Sequence, residues 1–170
     1  MNPQLFRPTA EGELRLLLLI NAFSNQPYGM QGRTKLAKLD FLLRYPAFLR
    51  RALATRGHPY DDLLPESNPL EQRMVRYRYG PWDPSYFALL GSLIGRGLIE
   101  VVPYPRGLGY KTTQTGATLA GVVGQTAAWA STAAAVQLLR HNFNQAGSTL
   151  KKLVYDVFPE ITAARWEEPL

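Results

Sequence analysis

The sequence predicts an α+β fold, mainly α, and three observations carry that prediction. Leucines recur at helical spacing through the first 45 residues. A single apolar run, "GLIEVV", is followed by a glycine-rich tip and a return run, "GYKTTQTG". The C-terminal part then goes back to helical spacing. Apolar residues three and four apart mark a helix stripe, and short runs around a glycine tip mark a hairpin. With 170 residues, 46% hydrophobic and 19% charged, the chain buries a core large enough for one domain.

The first helix is expected over residues 11–24. Two acids in its first turn favour the helix dipole, and Leu14, Leu17, Leu18 and Phe23 give it a broad stripe. A turn-rich connection over 25–32 leads to a second helix, capped by Thr34 and stopped after Arg44 by Tyr45-Pro46. Its Leu36, Leu39 and Leu43 share one face. A third helix covers 47–56. Residues 57–69 form a polar, proline-rich loop, and a short helical piece over 70–75 leads into Arg76-Tyr77-Arg78-Tyr79. Asp83 then Pro84 reads as an N-cap with proline at the first helical position, and Gly95-Arg96-Gly97 ends that helix.

Residues 98–102 and 110–113 are strands flanking a tip over 105–109. Thr115 is expected to cap an Ala/Gly-rich helix running to about Phe143. Ser148 caps the last helix, which Pro159 stops. That helix carries Leu150, Leu153, Val154, Val157 and Phe158 on one side. Several helices, then a two-stranded hairpin and a Thr-x-x-Gly turn, is the order of a winged helix. The expected layout is a winged-helix-like core over 10–113, with a two-stranded wing and a loop insertion at 57–69. A C-terminal helical extension over 114–166 packs on it. An unrelated α+β domain with one hairpin is the other reading.

Two motifs, "GRTKLAKLDFLLRYP" at 32–46 and "RYRYGPWD" at 76–83, resemble the middle components of bacterial ABC-three-component systems. These are relatives of the third subunit in Lamassu-type anti-phage operons. "YKTTQTG" and "VFPEI" fit the same pattern, so the resemblance spans about 32–161. It implies a non-enzymatic subunit that bridges an SMC/Rad50-like ATPase and a separate effector. It assigns no functional residues.

Composition narrows the function further. There is no cysteine, which rules out disulfides, thiolate zinc sites and a cysteine nucleophile. The N-terminus lacks the layout of a signal peptide, so a cytoplasmic location is expected. Residues 112–139 carry no charge and are long enough to span a bilayer, but they are built from Ala and Gly. A close-packed helix is the favoured reading over a membrane span. His58 and His141, the only histidines, lack metal-binding spacing. Asp61 and Asp62 beside His58 read as a solvated loop before a cation site. "GLGYKTT" has Tyr110 where a phosphate loop needs glycine. No cofactor, metal or catalytic residue is expected, and the chain is not expected to be an enzyme.

The net charge of +6 mildly favours an anionic partner. On the helix over 83–96, Tyr86, Phe87, Leu90, Leu93 and Ile94 share one arc, expected as core. The opposite arc (Ser85, Ala88, Gly91, Ser92, Gly95 and Arg96) offers almost nothing to read base edges. Three basic groups could track phosphates without reading sequence: Arg33, Lys35 and Lys38; Arg76 and Arg78; Arg106 and Lys111. Each is otherwise a solvated face. Tyr77 and Tyr79 should then point to the core, and Trp82 should wedge between helices before it stacks a base. The face of Leu150, Leu153, Val154, Val157 and Phe158 either closes the core or docks a partner. The expected function is the bridging role, with at most non-specific contact to double-stranded DNA and no membrane. The alternative is a free-standing winged-helix transcriptional regulator or antitoxin-like protein.

Overall fold

A computed structural model describes residues 7–58 and 72–170. It is α+β and mainly helical. In order the elements are α1 (Ala10–Phe23), β1 (Met30–Gln31), α2 (Gly32–Arg44), α3 (Pro46–Ala54), β2 (Val75–Tyr77), β3 (Gly80–Trp82) and α4 (Tyr86–Gly95). There follow β4 (Ile99–Tyr104), β5 (Gly107–Thr112), α5 (Gln114–Gly124), α6 (Ala130–Asn142), α7 (Gly147–Val157) and α8 (Pro159–Ala163).

Helix α1 is the axis of the core. Thr9 caps it by accepting from the Gly12 amide at 3.0 Å. Leu16 to Ile20 are buried in succession, because α2, α4, α5, α6 and β5 pack around it. A helix covered on all sides needs no polar stripe, which explains the uninterrupted leucines. Leu14, expected in the stripe, is only half-buried. Helix α2 starts at Gly32, not after Thr34, and Pro46 opens α3 as well as ending α2.

β5 lies at the centre of a three-stranded antiparallel sheet, with β4 on one edge and β1 on the other. Ile99 pairs with Thr112, Tyr104 with Gly107, and Met30 with Tyr110. A separate hairpin pairs β2 with β3. Val75 is therefore in a strand, not in the expected short helix; residues 72–74 are irregular and residues 70–71 lie outside the described ones. The free edge of β2 takes up the C-terminal tail. The Arg76 amide donates to the Glu168 carbonyl at 3.0 Å, and the Leu170 amide to that of Met74 at 3.0 Å.

Three further boundaries differ from expectation. Asp83 and Pro84 form a turn, with the Asp83 carboxylate accepting from the Ser85 amide at 2.8 Å, and α4 begins at Tyr86. The Ala/Gly-rich helix is two helices separated by residues 125–129, capped by Thr113 and not by Thr115. The cap brings Gly116 against Leu98, where a Cβ would lie 1.8 Å from the Leu98 carbonyl oxygen. Helix α7 starts at Gly147 with no side-chain cap, so Ser148 does not serve as one. Among the described residues no helix is long and apolar enough to cross a membrane.

One hydrophobic cluster runs from α1 through α7 and α8. It contains Leu150, Val154 and Phe158, all fully buried, with Leu153 and Val157 packed half-buried at its edge. The last amphipathic face therefore packs into the chain's own core, the first of the two readings given for it. Phe158 meets Phe48 edge-on at 4.8 Å, and the Arg51 guanidinium lies 4.8 Å from the Phe158 ring. Arg51 also donates to the Val157 carbonyl at 2.6 Å and pairs with Glu160, pinning the α7–α8 corner to α3.

Candidate nucleic-acid interface

The start of α2, the β4–β5 tip, the start of α7 and the β2–β3 turn converge on one groove. Its broad end, about 740 Å³, lies between Gly32, Arg33 and Thr34 on α2, Arg106 and Leu108 at the tip, and Gly147, Ser148 and Lys151 on α7. Its narrow end is a pocket of about 290 Å³ walled by Tyr77, Tyr79, Trp82 and Phe87, with Lys38 lining it. Arg33, Thr34 and Tyr79 line both ends. No carboxylate lines either among the described residues.

Two helices begin at this groove, and neither start carries a side-chain cap. They abut, since a Cβ on Gly147 would lie 3.0 Å from the Lys35 amide nitrogen. Uncapped N-termini present amide donors and a partial positive charge. Added to Arg33, Arg106 and Lys151, they make a field suited to phosphate oxygens.

Lys38 lies beneath the pocket and is 1% exposed. Its Nζ donates to the Pro81 carbonyl at 3.2 Å. Burial, with Lys151 nearby, lowers its pKa to about 7. Gly80 roofs the amine at φ +96°, in a backbone conformation that favours glycine. A Cβ there would lie 3.3 Å from Lys38 Cε and 3.3 Å from Tyr155 Cε1.

A buried ion network fixes the wall behind the pocket. Asp40 accepts from Arg15 Nε at 2.7 Å and from the Tyr86 hydroxyl at 2.7 Å. Arg44 links Asp40 at 3.5 Å to Asp83 at 2.6 Å. Burial alone would raise the Asp40 carboxyl, but the charges of Arg15 and Arg44 and the donated hydrogen bonds hold it below its ordinary value. Burial, and next the Asp40 carboxylate, push the Tyr86 phenol well above its ordinary value. Because Asp83 follows Trp82 directly, the network holds one ring of the pocket in place.

The groove gathers some of the expected basic residues and leaves out others. Arg33 and Arg106 line it, and Lys38 sits at its floor. Lys35 does not: it is 3% exposed, donates to Asn144 Oδ1 at 2.8 Å, and lies 4.9 Å from the Phe23 ring. Burial, then Arg140, lower its pKa to about 8. The three-residue cluster on α2 thus splits, because α7 and the β2–β3 hairpin cover that helix. Arg76 is turned to the C-terminal tail, donating to the Ala164 carbonyl. Arg78 lies 5.4 Å from the Tyr79 ring, and Lys111 stands opposite Glu100 in the sheet. None of these last three lines the groove.

Several residues expected in the core are at the site instead. Tyr77 and Tyr79 are nearly half exposed, and Phe87, 62% exposed, carries the Arg33 guanidinium at 4.6 Å. Leu89 takes the buried position on α4 that Phe87 and the 40% exposed Ile94 were expected to share. Trp82 is partly buried against the core. Lys151, 4.9 Å from the Tyr79 ring, joins the groove without a motif to announce it. His58 and His141 both line a separate pocket of about 580 Å³ that shares no residue with the groove. Among the described residues no group of three His, Asp or Glu could hold a metal; Asp61 and Asp62 lie outside them. No family model, curated protein or solved structure matches the chain.

Proposed function

We propose that the chain is a non-enzymatic, winged-helix-like accessory subunit that grips nucleic acid phosphates without reading sequence. It would act in the cytoplasm, bridging an SMC-like ATPase and a separate effector in an anti-phage complex. One observation carries the nucleic-acid part. Arg33, Arg106, Lys151 and two uncapped helix starts share a groove that no carboxylate lines among the described residues. The sheet order β1-β5-β4, reached through helices and closed by a hairpin, supports the winged-helix reading. The motifs over 32–46 and 76–83 support the bridging role. The exposed residues Ala88, Gly91 and Gly95 on α4 speak against a sequence-specific regulator, because they offer no donors to base edges.

The test is fluorescence anisotropy with labelled duplexes of unrelated sequence, titrated over salt. All should bind alike, and reversing Arg33, Arg106 and Lys151 to Glu should flatten the salt slope by roughly one unit per lost phosphate contact. No binding at low salt, or one sequence preferred about a thousandfold, would overturn the reading. Co-purification from the native operon tests the bridge: the subunit should come down with the ATPase and the effector, and recovery without the ATPase would exclude it.

A further inference from the structure

The ring-lined end of the groove asks for more than phosphate. Backbone grip alone would be served by the broad end, with its guanidinium groups and helix starts. Yet the narrow end places Tyr77, Trp82 and Phe87 around a pocket of about 290 Å³. The Trp82 ring lies 6.2 Å from that of Tyr77 and 6.3 Å from that of Phe87. Two of these three rings are exposed, Tyr77 at 45% and Phe87 at 62%. Burying large exposed rings is favourable, so rings left open beside a cationic groove form a platform for a flat ligand. The volume sits near the lower bound of small-molecule sites, roughly 300 Å³, which suits one planar ring system.

Charge selects among flat ligands. Arg33 and Lys38 line the pocket and no carboxylate does among the described residues, so an aromatic cage for a cation is excluded. Lys38, although only 1% exposed, lines the pocket and keeps donors beyond the one given to Pro81. Arg33 and Thr34 line both the pocket and the broad end, so a flat ring and a phosphate would sit side by side. That juxtaposition is the chemistry of a nucleotide in a strand.

Building on the nucleic-acid reading above, we infer that the Tyr77–Trp82–Phe87 pocket receives one unpaired base while the Arg33–Lys151 groove holds the adjoining phosphates. The subunit therefore favours single-stranded or frayed nucleic acid over an intact duplex, whose bases are stacked out of reach. Stacking on aromatic rings tolerates any base, so the preference carries no sequence.

The experiment compares three fluorescein-labelled probes at low salt: a mixed-sequence DNA 12-mer, the same length of abasic strand, and the matching duplex. The full chain should bind the 12-mer about 5- to 150-fold more tightly than the abasic strand, the range for stacking one base, and more tightly than the duplex. A duplex bound as tightly as the 12-mer would overturn the single-strand preference. Tyr77→Ala with Phe87→Ala should bring the 12-mer down to the level at which the same variant binds the abasic strand, so that the ratio between the two probes falls to about one. Both rings are exposed, so the fold should survive, and Tyr77→Phe with Phe87→Tyr should restore the preference. If the 12-mer and the abasic strand bind equally, or the ring variants weaken both alike, the base pocket is refuted while the phosphate groove stands. If no probe binds at low salt, the nucleic-acid reading itself falls.

Discussion

Replacing Lys38 by Met should make the protein more stable, against the usual direction for a buried residue. Lys38 is 1% exposed, and its pKa is lowered to about 7 from an ordinary 10.5. The unfolded chain therefore holds a proton on this amine that the folded chain gives up. The penalty on folding is full below pH 7 and fades between pH 7 and 10.5, as the unfolded amine also deprotonates. At pH 7 it amounts to about 4 kcal/mol, and at pH 9 to about 2 kcal/mol. Met is unbranched and similar in length, so it fills the space, but it leaves the Pro81 carbonyl unpaired at a cost of about 1 kcal/mol. The net expectation at pH 7 is a gain of about 3 kcal/mol, shrinking by about 2 kcal/mol at pH 9. Urea unfolding followed by tryptophan fluorescence at the two pH values reads both quantities. A variant no more stable than the parent at pH 7, or a gap that stays constant with pH, would refute the reasoning. The gain should come with weaker binding to a single strand, since a buried amine without a carboxylate is retained at a cost in stability.

Other perturbations bear on the frame around the site. Asp40→Asn should cost about 3–5 kcal/mol, because Arg15 and Arg44 lose a fully buried counter-charge; calorimetry would read it as a lowered Tm. The lowered Asp40 pKa means its contribution is present above the ordinary carboxyl range and lost as pH falls through the folded value. Acid unfolding of the parent, against a flatter acid limb in Asp40→Asn, checks that sign. Leu150→Ala should cost about 2–5 kcal/mol by urea midpoint, and unchanged stability would mean that α7 is not part of the core. Gly116→Ala must move either the α5 start or Leu98, since backbone stands 1.8 Å from the new Cβ; an unchanged thermal midpoint would contradict that packing.

Local chemistry made the helices and the β4–β5 hairpin legible in the sequence. Leucine spacing, a pre-proline stop at Tyr45 and a glycine-rich tip act through neighbours a few residues away. Arg33 and Arg106 were legible as exposed cations for the same reason. What lay beyond the sequence depends on partners far along the chain. β1 is two residues long and exists because β5 pairs with it, and the tail at 168–170 is extended because β2 leaves an edge open. The alternation of Arg76 to Tyr79 states that neighbours face opposite sides, but not which side is inward. The C-terminal tail takes the Arg76 guanidinium, and the rings are left outward. Lys35 and Lys38 read as surface charges until α7 and the β2–β3 hairpin close over α2. Burial is a property of the whole packing, so only the tertiary structure turned one of those lysines into the floor of a pocket and removed the other from it.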